Sequence, residues 1–177
     1  FLRQSVLYSN YGEILNIIGD WEDMLSFPGI QAPLQPYGAA TRGYGHANYV
    51  KDLDEVYRRQ PLVGKSSQLL EEINLIDLKK DYTIDSLIFQ RLTWEDKKGN
   101  VHNIEYPLTD KIIEDLNTEM SANAPLRLID NDNDGTPDES FHTIRLFQDH
   151  FLPSITLALA LEYFNKELSD IEVSLGK

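Results

Sequence analysis

A nine-residue stretch rich in aspartate, residues 130–138, constrains this chain more than any other part of it. Its sequence is Asp-Asn-Asp-Asn-Asp-Gly-Thr-Pro-Asp, with carboxylates at positions 1, 3, 5 and 9 and a glycine at position 6. A hard cation such as Ca²⁺ takes six to eight oxygens at about 2.3–2.6 Å, which a short loop can supply if it turns sharply at position 6. The predicted ligands are the four carboxylates and the backbone carbonyl at position 7: Asp130, Asp132, Asp134, Asp138 and Thr136.

An ordinary surface turn is the alternative explanation of this loop, because aspartate and asparagine side chains also bond to their own backbone in turns. No lysine or arginine lies between Arg127 and Arg145, so the loop has no cationic side chain of its own. Carboxylates this close repel one another unless a cation or protons neutralise them. The sequence therefore favours calcium over the empty turn.

The spacing resembles calcium loops of the DxDxDGxxD kind, found in EF-hands, dockerins, thrombospondin type 3 repeats and integrin-type propeller blades. An EF-hand also needs a bidentate glutamate at position 12, but here that position is Phe141, and Glu139 stands at position 10. The flanks 126–129 and 141–147 look extended rather than helical. A single copy excludes repeat architectures, which need several units to bury a core. We predict a strand-loop-strand calcium site.

Composition narrows the class of protein. The 177 residues, 41% of them hydrophobic, predict a single domain covering 1–177. The balance of 16 Lys and Arg against 29 Asp and Glu gives a net charge of −13, which disfavours nucleic-acid and anionic-membrane partners. The chain has no cysteine, which excludes disulfides, zinc-thiolate sites and a cysteine nucleophile.

The chain start and the longest apolar run bear on location. The chain opens on Phe1 without the basic and apolar regions of a signal peptide, so we expect a mature or excised piece. The run 155–161 is too short to span a bilayer, so we expect no direct membrane insertion. A loop lacking the position-12 carboxylate should bind calcium weakly and fill where calcium is near millimolar. We therefore expect an extracytoplasmic location.

Hydrophobic periodicity predicts several helices. Apolar residues recur at three- and four-residue steps in 2–25, 50–57 and 69–76, although 74–78 fits a strand equally well. Thr109 is placed to cap another helix, with its apolar stripe in 112–120. The segment 153–168 is ambiguous, and Pro153 at a first helical turn favours a helix.

Other segments look extended. Residues 84–94 and 101–106, joined by the turn 97–100, predict a hairpin, and 171–175 alternates like an edge strand. Helices and antiparallel strands in separate runs predict an α+β domain with amphipathic helices and a small antiparallel sheet. The calcium loop would lie between extended segments of that domain.

The segment 27–48 is rich in proline, glycine and aromatic residues and predicts a long loop. Tyr37 and Tyr44 supply rigid aromatic groups that lose little entropy on binding, so we expect them to contact a protein partner or a larger parent assembly.

An enzyme is the competing hypothesis. His46 lies in the same long loop and could act as an acid or base with Asp20, Glu22 or Asp23, as in a hydrolase. The other three histidines are in no known motif, and the spacing of His142 and His150 is not that of a metal site. No GxSxG or complete phosphate-binding glycine loop is present. We expect no catalytic residues.

The sequence thus favours a calcium-stabilised, non-catalytic structural or binding module of an exported or cell-surface protein or assembly. Two alternatives stay open. One is the hydrolase built on His46, which a perturbed histidine beside a carboxylate would support. The other is a subunit of a large complex such as a virion or a secretion apparatus, which an exposed apolar patch would support.

Overall fold

The computed structural model describes residues 12–24, 26–27, 43–47, 49–51, 53–55, 57–130 and 135–175. Within these ranges the chain forms strands β1 Asn16–Ile18, β2 Ser26–Phe27, β3 Val50–Lys51, β4 Tyr57–Arg59, β5 Val63–Asn74, β6 Gln90–Glu95, β7 Val101–Asn103, β8 Arg127–Ile129, β9 Glu139–Phe141, β10 Thr143–Pro153 and β11 Glu172–Ser174. The α-helices of these ranges are α1 Asp110–Asn123 and α2 Ile155–Phe164. Short 3₁₀ turns occupy Trp21–Asp23, Leu75–Asp77, Ser86–Ile88 and Leu168–Asp170.

The predicted α+β domain with amphipathic helices and a small antiparallel sheet is wrong. Among the residues that the structure describes, 36% are in strands and 25% in helices, including 3₁₀ turns, so β-structure dominates. The largest sheet has five strands in the order β2-β5-β10-β6-β7. It is also mixed rather than antiparallel, because β2 pairs with β5 in parallel and β6 pairs with β10 antiparallel.

Three of the segments predicted as helices contain strands where the structure describes them, and no α-helix is found in their described residues. Residues 69–74 belong to the long strand β5, the segment 50–59 contains the antiparallel pair β3 and β4, and 16–18 form β1. Residues 69–74 form a strand rather than a helix because pairing of β5 with its neighbouring strands overrides the local helical period. Gly64 in this strand also lies so close to His46 that an added Cβ would be 2.9 Å from His46 Cδ2.

The chain divides into two compact units, which are described separately. The first unit comprises Phe1–Ser67 and Asp149–Lys177, and the second comprises Gln68–Gln148. Strands β5 and β10 each contribute residues to both. That the whole chain is one domain stays a prediction.

The second unit contains the elements that the sequence predicted best. The hairpin of β6 and β7 is confirmed, with Trp94 opposite His102. The helix after Thr109 is confirmed as α1, and the Thr109 hydroxyl accepts a hydrogen bond from the Ile112 amide at 3.2 Å. Leu116 and Met120 of α1 are buried in a core of side chains from the strands and their connections: Ile73, Leu75, Leu78, Leu92, Trp94, Ile104, Leu108, Ala124, Ile144 and Leu146.

The first unit is centred on the end of β10. Phe151 and Ile14 are fully buried, and the Ile14 amide donates to the Phe151 carbonyl at 3.0 Å. Strands β1 and β11 pair in parallel, so the predicted strand near the chain end is confirmed. The helix predicted in 153–168 is also confirmed, because α2 starts after Ser154, whose side chain accepts from the Leu157 amide.

A buried lysine joins three segments of the first unit. Lys65 of β5 is 1% exposed, and its ammonium nitrogen lies 3.1 Å from the Trp21 carbonyl and 2.5 Å from the Glu22 carbonyl. The buried Asp149 carboxylate of β10 lies 3.9 Å away. An ammonium ion this deep is stable only with such oxygen partners, because burial removes its hydration.

We expect Lys65→Met to lower the free energy of unfolding by about 3–5 kcal/mol, since removing one member of a buried ion pair leaves the other charge in a poorly solvating site. Urea denaturation at neutral pH measures the change. The double variant Lys65→Met/Asp149→Leu should be more stable than the single variant, because it removes both charges. Equal or lower stability of the double variant would contradict the buried-pair explanation.

Candidate functional site

The aspartate loop joins two paired strands. Strand β8 lies antiparallel to β9, with Ile129 opposite Glu139. The hydrogen bond from the Asp138 amide to the Ile129 carbonyl, at 2.8 Å, brings the two ends of the loop together. Phe141, at position 12 of the predicted loop, is a residue of β9 opposite Arg127. It cannot replace the bidentate glutamate of an EF-hand, because its side chain has no oxygen.

Asp130, the first predicted ligand, accepts a hydrogen bond from the glycine of the loop. The Gly135 amide donates to Asp130 Oδ2 at 2.9 Å, so positions 1 and 6 of the predicted loop lie close together. Gly135 has a φ of +88°, a region that side-chain-bearing residues rarely adopt. No atom lies within 4 Å of a Cβ added there, so the backbone conformation alone requires the glycine. Gly135 thus has the positive φ that suits a turn at position 6.

The predicted ligand set is only partly described. Asp130, Thr136 and Asp138 are in the described ranges, whereas Asp132 and Asp134 lie outside them. In the described part of the chain, no three His, Asp or Glu side chains come together in a way that could hold a metal ion. The calcium set of five residues therefore stays a prediction, in which Asp130 and Asp138 would supply carboxylate oxygens and Thr136 a carbonyl oxygen.

Ion pairs anchor the hairpin that carries the loop. Arg127, the first residue of β8, lies 2.5 Å from Glu72 of β5, and the other carboxylate oxygen of Glu72 lies 3.5 Å from Arg145. Arg145 also lies 2.7 Å from Glu95. The hydrogen bond from Arg127 is the largest cause of a lowered pKa at Glu72. These four side chains line a cleft of about 410 Å³ in which each guanidinium faces a carboxylate.

Of the two predicted partner-binding tyrosines, Tyr44 is described and Tyr37 lies outside the described residues. The Tyr44 hydroxyl donates to the Gly12 carbonyl at 2.7 Å. Tyr44 also lines a groove beside α2, with a volume of about 970 Å³. The described end of the predicted long loop, 43–47, thus contributes to a concave surface.

His46 is held by its backbone next to the start of α2. Its amide donates to the Pro153 carbonyl at 2.9 Å, and its carbonyl accepts from the Ile155 amide at 3.0 Å. Its ring lies 5.9 Å from the Phe27 ring and contacts Gly64. Burial lowers the pKa of His46, so the neutral imidazole is favoured. The hydrolase built on His46 stays a hypothesis.

The other histidines have different neighbours. His150 Nδ1 lies 2.9 Å from the Glu13 carboxylate, a pair that sequence reasoning missed because the two residues are distant in the chain. His142 Nδ1 lies 3.2 Å from the Pro125 carbonyl. His102 stacks on Trp94, with ring centroids 4.4 Å apart.

Comparisons with protein-family models, curated proteins and solved structures find no match to this chain. Among the helices of the described ranges, none has the length and apolar character needed to cross a membrane.

Acidification should test the ion pairs that anchor the hairpin. Because the pKa of Glu72 is lowered from its ordinary value of 4.5, its contribution to stability is present above that pH and is lost as the pH falls through the folded-state pKa. Glu72→Gln should cost about 1 kcal/mol or less at pH 7, since the side chain is partly exposed. The variant should also lose less stability than the parent chain below pH 4.5.

The matched control is Glu114→Gln, which removes a carboxylate from the exposed surface of α1. Urea denaturation of both variants and the parent chain between pH 3 and pH 7, a range that spans the ordinary glutamate pKa, gives the comparison. Identical pH profiles for Glu72→Gln and the parent chain would contradict the role of Glu72.

Proposed function

We propose that this chain is a calcium-stabilised, non-catalytic structural or binding module, and that the loop 130–138 is its calcium site. The observation that supports this most directly is the hydrogen bond from Gly135 to Asp130. It folds the first carboxylate towards the position-6 turn, as a wrapped cation requires. The sequence of the loop supplies the remaining oxygens, at Asp132, Asp134, Thr136 and Asp138.

The position of the loop supports a stabilising role for the ion. Strands β8 and β9 pair over three residues each, and such a short hairpin is marginal without further contacts. A cation that neutralises the aspartates would remove their mutual repulsion and fix the connection between the strands. Calcium binding and formation of this hairpin would then be coupled.

An exported or cell-surface setting follows from the expected affinity. Without a bidentate glutamate at position 12, we expect a dissociation constant in the range of extracellular modules, about 10⁻⁴–10⁻³ M. A site of that strength is filled where calcium is near millimolar. The acidic character of the chain, with a net charge of −13, fits a cation-rich environment.

We expect calcium to raise the melting temperature and chelation to reverse the rise. A ligand bound only by the native state stabilises it by RT ln(1 + [L]/Kd), which is about 0.4–1.4 kcal/mol at about 1 mM calcium for a dissociation constant of about 10⁻⁴–10⁻³ M. For a chain of this size, that corresponds to a shift of about 1–6 °C. Thermal unfolding followed by circular dichroism in EDTA and in millimolar calcium measures it.

Three loop variants and one control complete this experiment. Asp132→Ala and Asp134→Ala should each abolish the calcium-dependent shift, and Gly135→Val should do so through backbone strain at positive φ. Asp81→Ala removes an exposed carboxylate outside the loop and should keep the shift. A melting temperature that is equal in EDTA and in calcium would remove the calcium site from the proposal.

A further inference from the structure

Helix α2 carries apolar side chains on its exposed side. Ile155, Leu159 and Tyr163 follow one another at steps of four residues and therefore form one ridge. Leu159 is 66% exposed and Tyr163 is 84% exposed, and Ile155 is nearly half exposed. A surface helix normally places charged and polar residues there. Such an exposed row of apolar side chains is typical of a surface that contacts another molecule.

A groove lies beside this ridge, and apolar side chains from other segments line it as well. Its volume is about 970 Å³, and Leu15, Tyr44 and Leu168 line it together with Ile155 and Leu159. Leu15 is itself 61% exposed. All of these residues belong to the first unit. Concave, largely apolar surfaces of this size are common binding sites, and large apolar patches mark contact with other molecules.

The charges around the α2 groove favour a cationic occupant. Among the described residues, three carboxylates line it, from Glu13, Glu162 and Glu167, against the ammonium of Lys166, and Glu13 lies 2.9 Å from His150 Nδ1. Two copies of this chain docked through the same face would bring these carboxylates together, on chains that each carry a net charge of −13. Like charges brought together across an interface oppose association. A partner with both apolar and basic side chains could contact the apolar ridge and the carboxylates that line the groove.

We infer that the α2 groove binds a peptide segment of a partner protein that carries apolar side chains on one face and Lys or Arg beside them. The ridge from Ile155 to Tyr163 spans about 12 Å at 1.5 Å per residue, and its residues Ile155 and Leu159 line the groove, which suits two apolar anchors of a helical segment. The lysine or arginine side chains would reach Glu162 and Glu167, since Glu13 already lies 2.9 Å from His150 Nδ1. This inference goes beyond the calcium site and does not depend on it, since the loop belongs to the second unit and its described residues are not among those that line the groove.

The test uses the full chain and a fluorescently labelled amphipathic peptide of leucine and lysine, about 14 residues or four helical turns long. A matched peptide with glutamate in place of lysine is the charge control. Fluorescence anisotropy should show saturable binding of the basic peptide and binding of the acidic peptide that is weaker by about tenfold or more. Equal binding of the two peptides would overturn the charge argument.

Two variants separate groove binding from general attraction to an acidic protein. Leu159→Asp and Leu15→Asp each place a carboxylate in the lining of the groove, on two different segments, and should each weaken binding of the basic peptide about tenfold or more. Both make the chain more acidic, so attraction to the net charge alone would strengthen binding. Unchanged or tighter binding by these variants, or failure of the parent chain to bind, would overturn the inference.

The matched control is Leu87→Asp, the same substitution at a leucine of the second unit that is 86% exposed. It should bind the basic peptide as tightly as the parent chain does. Circular dichroism establishes that all three variants fold. Analytical ultracentrifugation adds one further outcome: a concentration-dependent dimer that Leu159→Asp abolishes would make the occupant a second copy and overturn the proposal of a basic partner.

Discussion

The burial of the Lys65 ammonium group is the constraint on which the first unit most depends. A charge removed from water at this depth needs several oxygen partners, and here they come from two other parts of the chain. The carbonyls of Trp21 and Glu22 fix the 3₁₀ turn, and the Asp149 carboxylate fixes β10. One side chain of β5 thus sets the positions of two other segments. The same strand carries Gly64, whose missing side chain leaves space for the His46 ring.

Elements with strong local signals could be predicted from the sequence. The start of α1 could be predicted from Thr109, because its hydroxyl accepts a hydrogen bond from an amide of the first helical turn. The turn at 97–100 places β6 and β7 side by side because few residues separate the two strands. Helix α2 was predicted for a partly wrong reason, because Pro153 is the last residue of β10 rather than a first-turn residue, and Ser154 caps the helix.

The β-rich character of the fold could not be predicted, because its cause lies far away in the chain. Leu69, Leu70 and Ile73 have helical spacing, yet they belong to a strand whose neighbours are β2 and β10. Period alone does not separate a helix from a strand that is buried irregularly. The segment 50–59 also has a helical period, yet it contains the antiparallel pair of β3 and β4. Pairing partners decide such cases, and a single sequence does not reveal them.

The candidate sites also differ in whether their residues are close together or far apart in the sequence. The aspartate loop can be recognised from the sequence because all of its proposed ligands lie within nine residues. The pair of Glu13 with His150 and the α2 groove unite residues from opposite ends of the chain, so no local pattern indicates them. One feature of the sequence does indicate the apolar ridge: α2 contains a single charged residue, Glu162, among its ten. That composition is unusual for an exposed helix.

The most direct measurement is a calcium titration of the ¹⁵N-labelled chain followed by NMR, up to about 10 mM, tenfold above the weakest affinity expected of such a loop. The Gly135 amide, which donates to Asp130, is the reporter. If the loop binds calcium, the resonances of 130–138 shift and saturate together as one site, while those of α1 stay in place. An unshifted Gly135 resonance, or small shifts spread over the acidic surface without saturation, would contradict the calcium site.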